Sequence, residues 1–195
     1  GRAGAIAPDP THAGFSLARA QNYRAESGVV SITVADFDGD ARPDVVTADD
    51  GAAAISTFLN KGGGRLATQR LDATAHRAWA IVSGDLNGDG KADVATANGL
   101  DSSTLSVLLN RGDGSFGPPR DYATEADPEA LTIGDLDGDG RPDVVVANLN
   151  AHTVSVFLNV RDGSLGARRD YAADHPQSVA IGDLIATDEY AAARS

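Results

Sequence analysis

Three short Asp-rich segments share one spacing of side chains that could bind a metal ion. Counted from the first aspartate, an acidic or amide side chain stands at positions 1, 3, 5 and 9 of each segment. These residues are Asp36, Asp38, Asp40 and Asp44; Asp85, Asn87, Asp89 and Asp93; and Asp135, Asp137, Asp139 and Asp143. Carboxylates held this close repel one another unless a cation or protonation relieves the repulsion. Because Ca²⁺ takes roughly six to eight oxygen ligands from flexible loops, we expect one calcium ion per segment, about three in all.

The remaining positions of the segments support the same interpretation. The candidate extra ligand is the backbone carbonyl at position 7, which belongs to Arg42, Lys91 and Arg141. Glycine at position 6 permits the sharp bend in the second and third segments, whereas Ala41 holds that position in the first. An EF-hand is rejected, because it requires a glutamate at position 12 and flanking helices.

A fourth aspartate, Asp183, continues the series but not the pattern. The first aspartates stand at 36, 85, 135 and 183, so the interval is 49, 50 and then 48 residues. After Asp183 the ligand positions hold Ile185, Thr187, Glu189 and Ala191. We therefore expect a fourth copy of the repeat without a fourth calcium ion.

Composition narrows the classes of function. The 195 residues include 28 acidic and 16 basic side chains, and the net charge of −12 disfavours nucleic-acid binding. The absence of cysteine excludes disulfides and thiolate sites. No apolar run approaches the ~20 residues that cross a bilayer, so no membrane insertion is expected. No secretory leader is visible, and the chain begins at Gly1 without any methionine, which is typical of a processed chain or a fragment.

Each repeat also contains four short apolar runs, which we denote strands A to D. Strand A precedes the Asp-rich segment and strand B follows it, over residues 45–48, 94–97 and 144–147. Strand C ends in Leu-Asn, with the asparagine at 60, 110 and 159. A glycine-rich tight turn follows, and strand D ends near 72, 122 and 171. Runs of this length, rich in β-branched residues and bounded by Gly, Asn, Asp and Pro, predict antiparallel strands and no helices.

A four-stranded unit of this size must bury its faces against other copies of itself. Radial stacking predicts an all-β fold, a β-propeller with four-stranded blades, and a linear stack is the weaker alternative. We expect an N-terminal extension over residues 1–13 and a propeller segment over 14–195. Its repeats span about 28–75, 76–125 and 126–174, with a partial repeat over 175–195.

The unit resembles the FG-GAP/VCBS repeat of integrin α subunits and many bacterial secreted proteins. The resemblance rests on residues 133–144 (IGDLDGDGRPDV), on 154–159 and on 112–117 (GDGSFG). It implies a calcium-binding propeller that often has seven blades. Residues 15–23 then read as strand D of a preceding blade and 178–183 as a lone strand A. One chain therefore gives about three full blades with flanking strands, and the ring is incomplete, completed by a longer propeller or by a homo-oligomer.

The function expected from these features is an extracellular adhesion-type binding module, secreted or at the cell surface, with structural calcium. A glycan or protein would contact loops that do not repeat, where Trp79 and His76 are the candidate contact residues. One alternative is a purely architectural segment of a larger surface protein. Another is a propeller-fold lyase or hydrolase, which is disfavoured because no catalytic motif occurs. The four histidines, His12, His76, His152 and His175, form no spacing motif and are expected to occupy non-equivalent surface positions.

Overall fold

The computed structural model describes residues 20–25, 28–99 and 102–182. All regular structure in these residues is β-strand, and most of it lies in three four-stranded antiparallel sheets. The first sheet consists of β1 (Val29–Ala35), β2 (Asp44–Asp49), β3 (Ala54–Phe58) and β4 (Arg70–Ala73). The second consists of β5 (Ala80–Gly84), β6 (Asp93–Asn98), β7 (Thr104–Leu108) and β8 (Arg120–Ala123). The described residues contain no helix long and apolar enough to cross a membrane.

The third repeat contains six strands. They are β9 (Pro128–Gly134), β10 (Asp143–Asn148), β11 (Thr153–Phe157), β12 (Asn159–Arg161), β13 (Ser164–Leu165) and β14 (Arg169–Ala172). Strands β9, β10, β11 and β14 form the sheet, while β12 and β13 pair only with each other. Each sheet is an up-and-down meander in which strands A, B, C and D lie side by side in chain order.

The three sheets stack through their A strands, as the blades of a propeller do. Strand β1 lies against β5, and β5 lies against β9. The Thr33 and Ser83 hydroxyls are 2.7 Å apart, and the Ile81 N–H donates to Ser31 Oγ. Among the described residues, the three sheets do not close into a ring. The β-propeller prediction is therefore confirmed as a set of three blades.

Strands B and C are mostly buried, because each blade packs against at least one neighbour. The six residues of β6 are all buried, and so are the six of β10. One apolar cluster fills the space between blades one and two and includes Val46, Ile55 and Leu108. A second fills the space between blades two and three and includes Val107, Val146 and Phe157. Aliphatic side chains therefore form most of the core.

The sequence suggested that the glycine-rich turn joins strand C directly to strand D. The structure shows that it does not. Strand C ends at Phe58, Leu108 or Phe157, and eleven residues separate it from the start of strand D in each blade. The turn closes a separate small hairpin, marked by the Asn60–Leu66 and Asn110–Phe116 bridges and by the β12–β13 pair. This hairpin extends from the sheet and brings its asparagine to the Asp-rich segments.

The flanking strands expected at both ends are not formed within the described residues. Residues 20–23 are not in a strand, but Tyr23 Oη accepts a hydrogen bond from the Leu66 N–H, as Tyr122 Oη does from the Leu165 N–H. Residues 178–182 are not in a strand either, although Ile181 packs over Gly134 as Ile133 packs over Gly84. Both segments thus lie where a neighbouring blade would begin. The expected extension over 1–13, residues 15–19 and the fourth segment from Asp183 lie outside the described residues.

The two outer blade faces expose apolar side chains. Ile32 is 60% exposed and Val34 is 56% exposed, whereas the counterparts of Ile32 in the next blades, Ile81 and Leu131, are only 4% and 6% exposed. The difference arises because no described blade covers the outer face of blade one.

Candidate functional site

The Asp-rich segments form three loops at one edge of the blades, each joining strand A to strand B. Loop 1 is residues 36–44, loop 2 is 85–93 and loop 3 is 135–143, and we name this end the Asp-loop edge. The aspartate at position 1 organises each loop. In loop 1, Asp36 Oδ1 accepts from the N–H groups of Gly39 and Asp40, and Oδ2 accepts from Ala41. Asp85 and Asp135 accept from the same three loop positions.

The aspartate at position 9 is buried and fixes the loop to the sheet. Asp44, Asp93 and Asp143 are each 0% exposed. Asp93 Oδ2 accepts from the Leu86 N–H at 3.0 Å, and Oδ1 accepts from the Asn110 N–H at 2.8 Å. The other two aspartates make the equivalent pair of hydrogen bonds. Each position-9 carboxylate thus connects its loop to the asparagine that follows strand C.

Positions 3 and 5 leave carboxylate or amide oxygens at the loop surface, and position 7 carries a cationic side chain. The position-3 side chain accepts one hydrogen bond, from the N–H at position 5. The position-5 carboxylate pairs with the cationic side chain at position 7, as Lys91 Nζ does with Asp89 Oδ2 at 3.0 Å. Arg42 pairs with Asp40, and Arg141 with Asp139, in the same way. These pairs hold a positive charge beside the candidate ligands.

The loop geometry fits a calcium ion. In loop 1, one carboxylate oxygen from each of Asp36, Asp38 and Asp40 (positions 1, 3 and 5) lies within 4.8 Å of the others; in loop 3 the group is Asp135, Asp137 and Asp143 (positions 1, 3 and 9). Oxygens bound to one Ca²⁺ at roughly 2.3–2.6 Å are at most about 5 Å apart, so both groups have the required spacing. In loop 2, Asn87 offers an amide oxygen where the other loops have a carboxylate. The position-7 carbonyls remain predicted ligands.

The crowded carboxylates alter one another's ionisation. Burial raises the pKa of Asp93 to about 6; the N–H groups of Asn110 and Leu86 oppose this rise, and the charges of Asp89 and Asp85 add to it. Burial, followed by the charges of Asp44 and Asp40, raises the pKa of Asp38. A bound cation would favour the ionised form of both groups.

Hydrogen bonds from the loop backbone act in the opposite direction at position 1. The N–H of Gly140 is the main cause that lowers the pKa of Asp135, and the N–H groups of Gly138, Asp139 and Asp137 add to the effect. At position 5, burial opposes ionisation of Asp89, but the hydrogen bonds from the Lys91 side chain and backbone outweigh it and lower the pKa. Loop 2 therefore contains one carboxylate of each kind, Asp93 with a raised pKa and Asp89 with a lowered one.

Loops 1 and 2 also contact the next blade through position 2. Phe37 is fully buried and packs edge-to-face on Phe116 of blade two, with ring centroids 5.7 Å apart. Asn110 Nδ2 donates to the Phe37 carbonyl at 3.0 Å, and Asn159 Nδ2 donates to the Leu86 carbonyl at 2.7 Å. We call each such pair of contacts an interblade clamp. The sequence reading missed the clamp because its partners lie 73 residues apart.

The opposite edge of the blades carries the B–C turns and the D–A loops. The Trp79 side chain is half-buried there, and the backbone N–H of Trp79 donates to the Ala97 carbonyl at 2.8 Å. His76 is half-buried, and its Nε2 lies 4.0 Å from Asp121 Oδ2. The structure does not bring these two predicted contact residues into a shared pocket with the Asp loops.

The expectation that the histidines are non-equivalent is wrong for one pair. The Thr74 and Ala173 N–H groups donate to the preceding B–C turn at Ala53 and His152, and His76 and His175 each follow two residues later. The sequence count missed this match because the intervals between repeats differ by a residue or two. A hydrogen bond from His175, aided by its charge, lowers the pKa of the neighbouring Asp174.

A protein-family model described as an FG-GAP-like repeat matches the chain three times, over residues 36–96, 85–146 and 135–184. The matches together cover about three quarters of the sequence. Comparison with curated proteins gave no significant match.

Two solved structures share the fold. One describes specific recognition of non-reducing terminal N-acetylglucosamine by a lectin of Agrocybe aegerita; it is 25% identical, with a TM-score of 0.53 over 74% of this chain and 38% of that one. The other is BBS1N in complex with ARL6DN, which is 12% identical, with a TM-score of 0.55 over 82% of this chain and 48% of that one. The chain therefore spans less than half the length of either structure.

Proposed function

Because this chain belongs to the FG-GAP-like repeat family, we propose that it is a calcium-stabilised binding module that recognises a glycan or a protein and catalyses no reaction. The observation that carries the proposal is the threefold recurrence of one loop in which backbone N–H groups hold the position-1 aspartate, together with the convergence of further carboxylate oxygens in loops 1 and 3. A secreted or cell-surface location fits this role, since extracellular calcium modules bind at roughly 10⁻⁴–10⁻³ M.

Calcium would act on structure, through the interblade clamp. An ion in loop 1 would be held by Asp36, Asp38, Asp40 and Asp44 and would offset their repulsion. The same loop carries Phe37, whose ring and carbonyl both contact blade two. Fixing the loop therefore fixes the interface between two blades, and the same argument applies to loop 2 and Leu86.

The experiment is thermal unfolding in calcium and in EDTA, for the natural chain and for Asp38→Ala. Asp38 accepts only a 3.3 Å hydrogen bond within its loop, so its removal affects calcium binding more than the metal-free fold. Saturation at 100 times Kd stabilises the fold by about 2.7 kcal/mol per site. We expect Asp38→Ala to lose one such increment in calcium and nearly nothing in EDTA.

Glu129→Ala is the matched control, because it removes one negative charge from β9 and leaves the loops unchanged. It should retain the full calcium shift. Equal melting temperatures of the natural chain in calcium and in EDTA would contradict the structural role of calcium.

Recognition is assigned to the opposite edge, whose loops differ between blades. The proposal is supported by the lectin similarity and by Trp79, the single tryptophan of the chain, which could stack on a sugar ring. A glycan array and a Trp79→Ala variant test this assignment. Signals that require calcium and fall in the variant support it, whereas no binding in saturating calcium would favour a purely architectural segment.

The exposed apolar face of blade one supports a second partner, one with the same repeat. Ile32 and Val34 expose apolar surface that Ile81 and Leu131 bury between blades. We include in the proposal that a blade of this repeat type, from a longer propeller or a second copy, covers them. The solution mass distinguishes the two sources, since only the second copy gives a dimer.

A further inference from the structure

Two histidines and an aspartate meet on the opposite edge of blade three. His175 Nδ1 lies 2.7 Å from Asp174 Oδ1, and His152 Nδ1 lies 3.3 Å from the same oxygen. The two imidazole rings are edge-to-face with centroids 4.0 Å apart. One ligand atom from each residue falls within 4.8 Å of the other two, and all three side chains are open to solvent.

Two separate loops hold this cluster together. His152 ends the turn between β10 and β11, whereas Asp174 and His175 follow β14. The Ala173 N–H donates to the His152 carbonyl at 2.9 Å, so the loops are fixed to each other next to the three side chains. Their approach is therefore a property of the sheet and not of one flexible loop.

The other two blades provide an internal comparison. The same backbone hydrogen bond joins Thr74 to Ala53 in blade one and Thr124 to Ser103 in blade two. At the three positions of the cluster, the residues are Ala53, Ala75 and His76 in blade one, and Ser103, Glu125 and Ala126 in blade two. Only blade three carries a complete set of nitrogen and oxygen ligands on this frame.

The backbone of the cluster is also unusual. His152 has φ of 55° and His175 has φ of 47°, in the left-handed region that side chains with a Cβ seldom adopt. None of the four counterparts Ala53, Ser103, His76 and Ala126 has a positive φ. Left-handed non-glycine residues concentrate at functional sites, where the surroundings impose the conformation.

We propose that His152, Asp174 and His175 form a binding site for a divalent transition-metal ion of the Zn²⁺ type. Two imidazole nitrogens and a carboxylate are ligands that such an ion accepts, and three protein ligands leave a fourth position open. Tetrahedral ligands at roughly 2.0–2.1 Å from Zn²⁺ are separated by about 3.3 Å. The 2.7 and 3.3 Å separations around Asp174 Oδ1 are close to this spacing.

The site is chemically and spatially distinct from the Asp loops. Those loops lie at the other end of the strands and offer only oxygen ligands, which suit Ca²⁺. The nitrogen ligands of this cluster favour an ion later in the transition series. The open fourth position faces solvent, so a donor group of a bound partner could complete the coordination.

The test is titration of the full chain with Zn²⁺ in millimolar Ca²⁺, which keeps the Asp loops occupied, followed by calorimetry. Co²⁺ replaces Zn²⁺ in a parallel titration, because its visible absorption reports nitrogen ligation and low coordination number. We expect one equivalent to bind. Since loss of an outer-sphere partner costs about 10–100-fold in metal affinity, loss of a ligand in His152→Ala or His175→Ala should cost about 100-fold or more.

His76→Ala is the matched control, because His76 occupies the position of His175 in blade one. His12→Ala controls for the remaining histidine. Both should bind Zn²⁺ with the affinity of the natural chain. The exposed cluster variants should retain the metal-free melting temperature, which separates lost ligation from misfolding. Absence of stoichiometric Zn²⁺ binding, or an equal loss of affinity in His76→Ala, would overturn the proposal.

Discussion

The Asp-loop edge and the opposite edge of the blades differ in how closely they repeat. At the Asp-loop edge, loops 1, 2 and 3 make the same hydrogen bonds to their position-1 and position-9 aspartates. At the opposite edge, the backbone frame recurs, but its side chains differ in every blade, from two alanines and His76 in blade one to the His152 cluster in blade three. Recurrence marks what every blade needs for packing, and variation marks where one blade can do something that the others cannot.

Phe37→Ala should have the largest effect on the free energy of unfolding. Phe37 is fully buried against Phe116, so its truncation should cost about 3–5 kcal/mol. Leu136→Ala is the matched control, because Leu136 holds the same loop position in blade three but is 44% exposed. In the chain by itself it should cost less than about 1 kcal/mol. Urea unfolding in calcium measures both, and equal costs would show that position 2 has no special role between blades.

Asn110→Ala should have the next largest effect. Its side-chain amide donates to the carbonyls of Phe37 and Ala92, and its loss leaves two backbone acceptors unpaired at a cost of about 1–3 kcal/mol. Asn60→Ala is the control, because among the described residues Asn60 Nδ2 donates to Pro43 of its own blade. It should destabilise less. A larger loss in Asn60→Ala would contradict the importance of the interblade clamp.

Calcium binding at loop 2 should weaken below pH 6. The raised pKa of Asp93, about 6, means that calcium must displace a proton at lower pH, and affinity should fall by up to about tenfold per pH unit. In EDTA the sign reverses. The native chain keeps a proton that the unfolded chain releases near its usual pKa, so its stability should fall as the pH rises from about 4 to 6.

Calorimetry at pH 5 and pH 7 measures this effect in a chain whose other loops carry Asp38→Ala and Asp137→Ala. One proton should be taken up from the buffer by the metal-free form between these pH values. A calcium affinity that does not change with pH would contradict the protonation of Asp93.

The smallest effect is expected beneath the opposite edge. In blades two and three an amide donates to a serine, which donates to an aspartate, as in Asn98 to Ser106 to Asp121. In blade one, Asp49 replaces the asparagine and accepts hydrogen bonds from the Ser56 and Thr47 hydroxyls. The position of Asp121 is held there by Leu71, which pairs with Ser56 as Asp121 pairs with Ser106. Asp49→Asn would therefore leave the Ser56 hydroxyl without its carboxylate acceptor and should destabilise the fold by about 1 kcal/mol.

Asn98→Asp is the reciprocal control and should destabilise blade two by a similar amount. Chemical unfolding measures the free energy of unfolding of both variants and of the natural chain. If Asp49→Asn leaves stability unchanged or raises it, the hydrogen bond from Ser56 to Asp49 contributes nothing to the stability of blade one.

The sequence predicted the parts of the molecule that depend on local periodicity. The Asp spacing and the β-branched runs of strand B are readable within one repeat. The small hairpin between strands C and D was missed because a glycine-rich turn alone does not tell whether the flanking segments enter the main sheet. The interblade clamp and the His152 cluster were missed because their partners are distant along the chain, and only stacking and pairing of the strands bring them together.

The clamp also sets the order in which the protein can be completed during synthesis. The Phe37 carbonyl receives its hydrogen bond from a residue 73 positions later, and Leu86 has the same separation from Asn159. A nascent chain therefore emerges with each loop unfastened until the following repeat has left the ribosome. During synthesis the clamps can therefore close only in chain order, one repeat behind translation, and the newest loop waits for its partner.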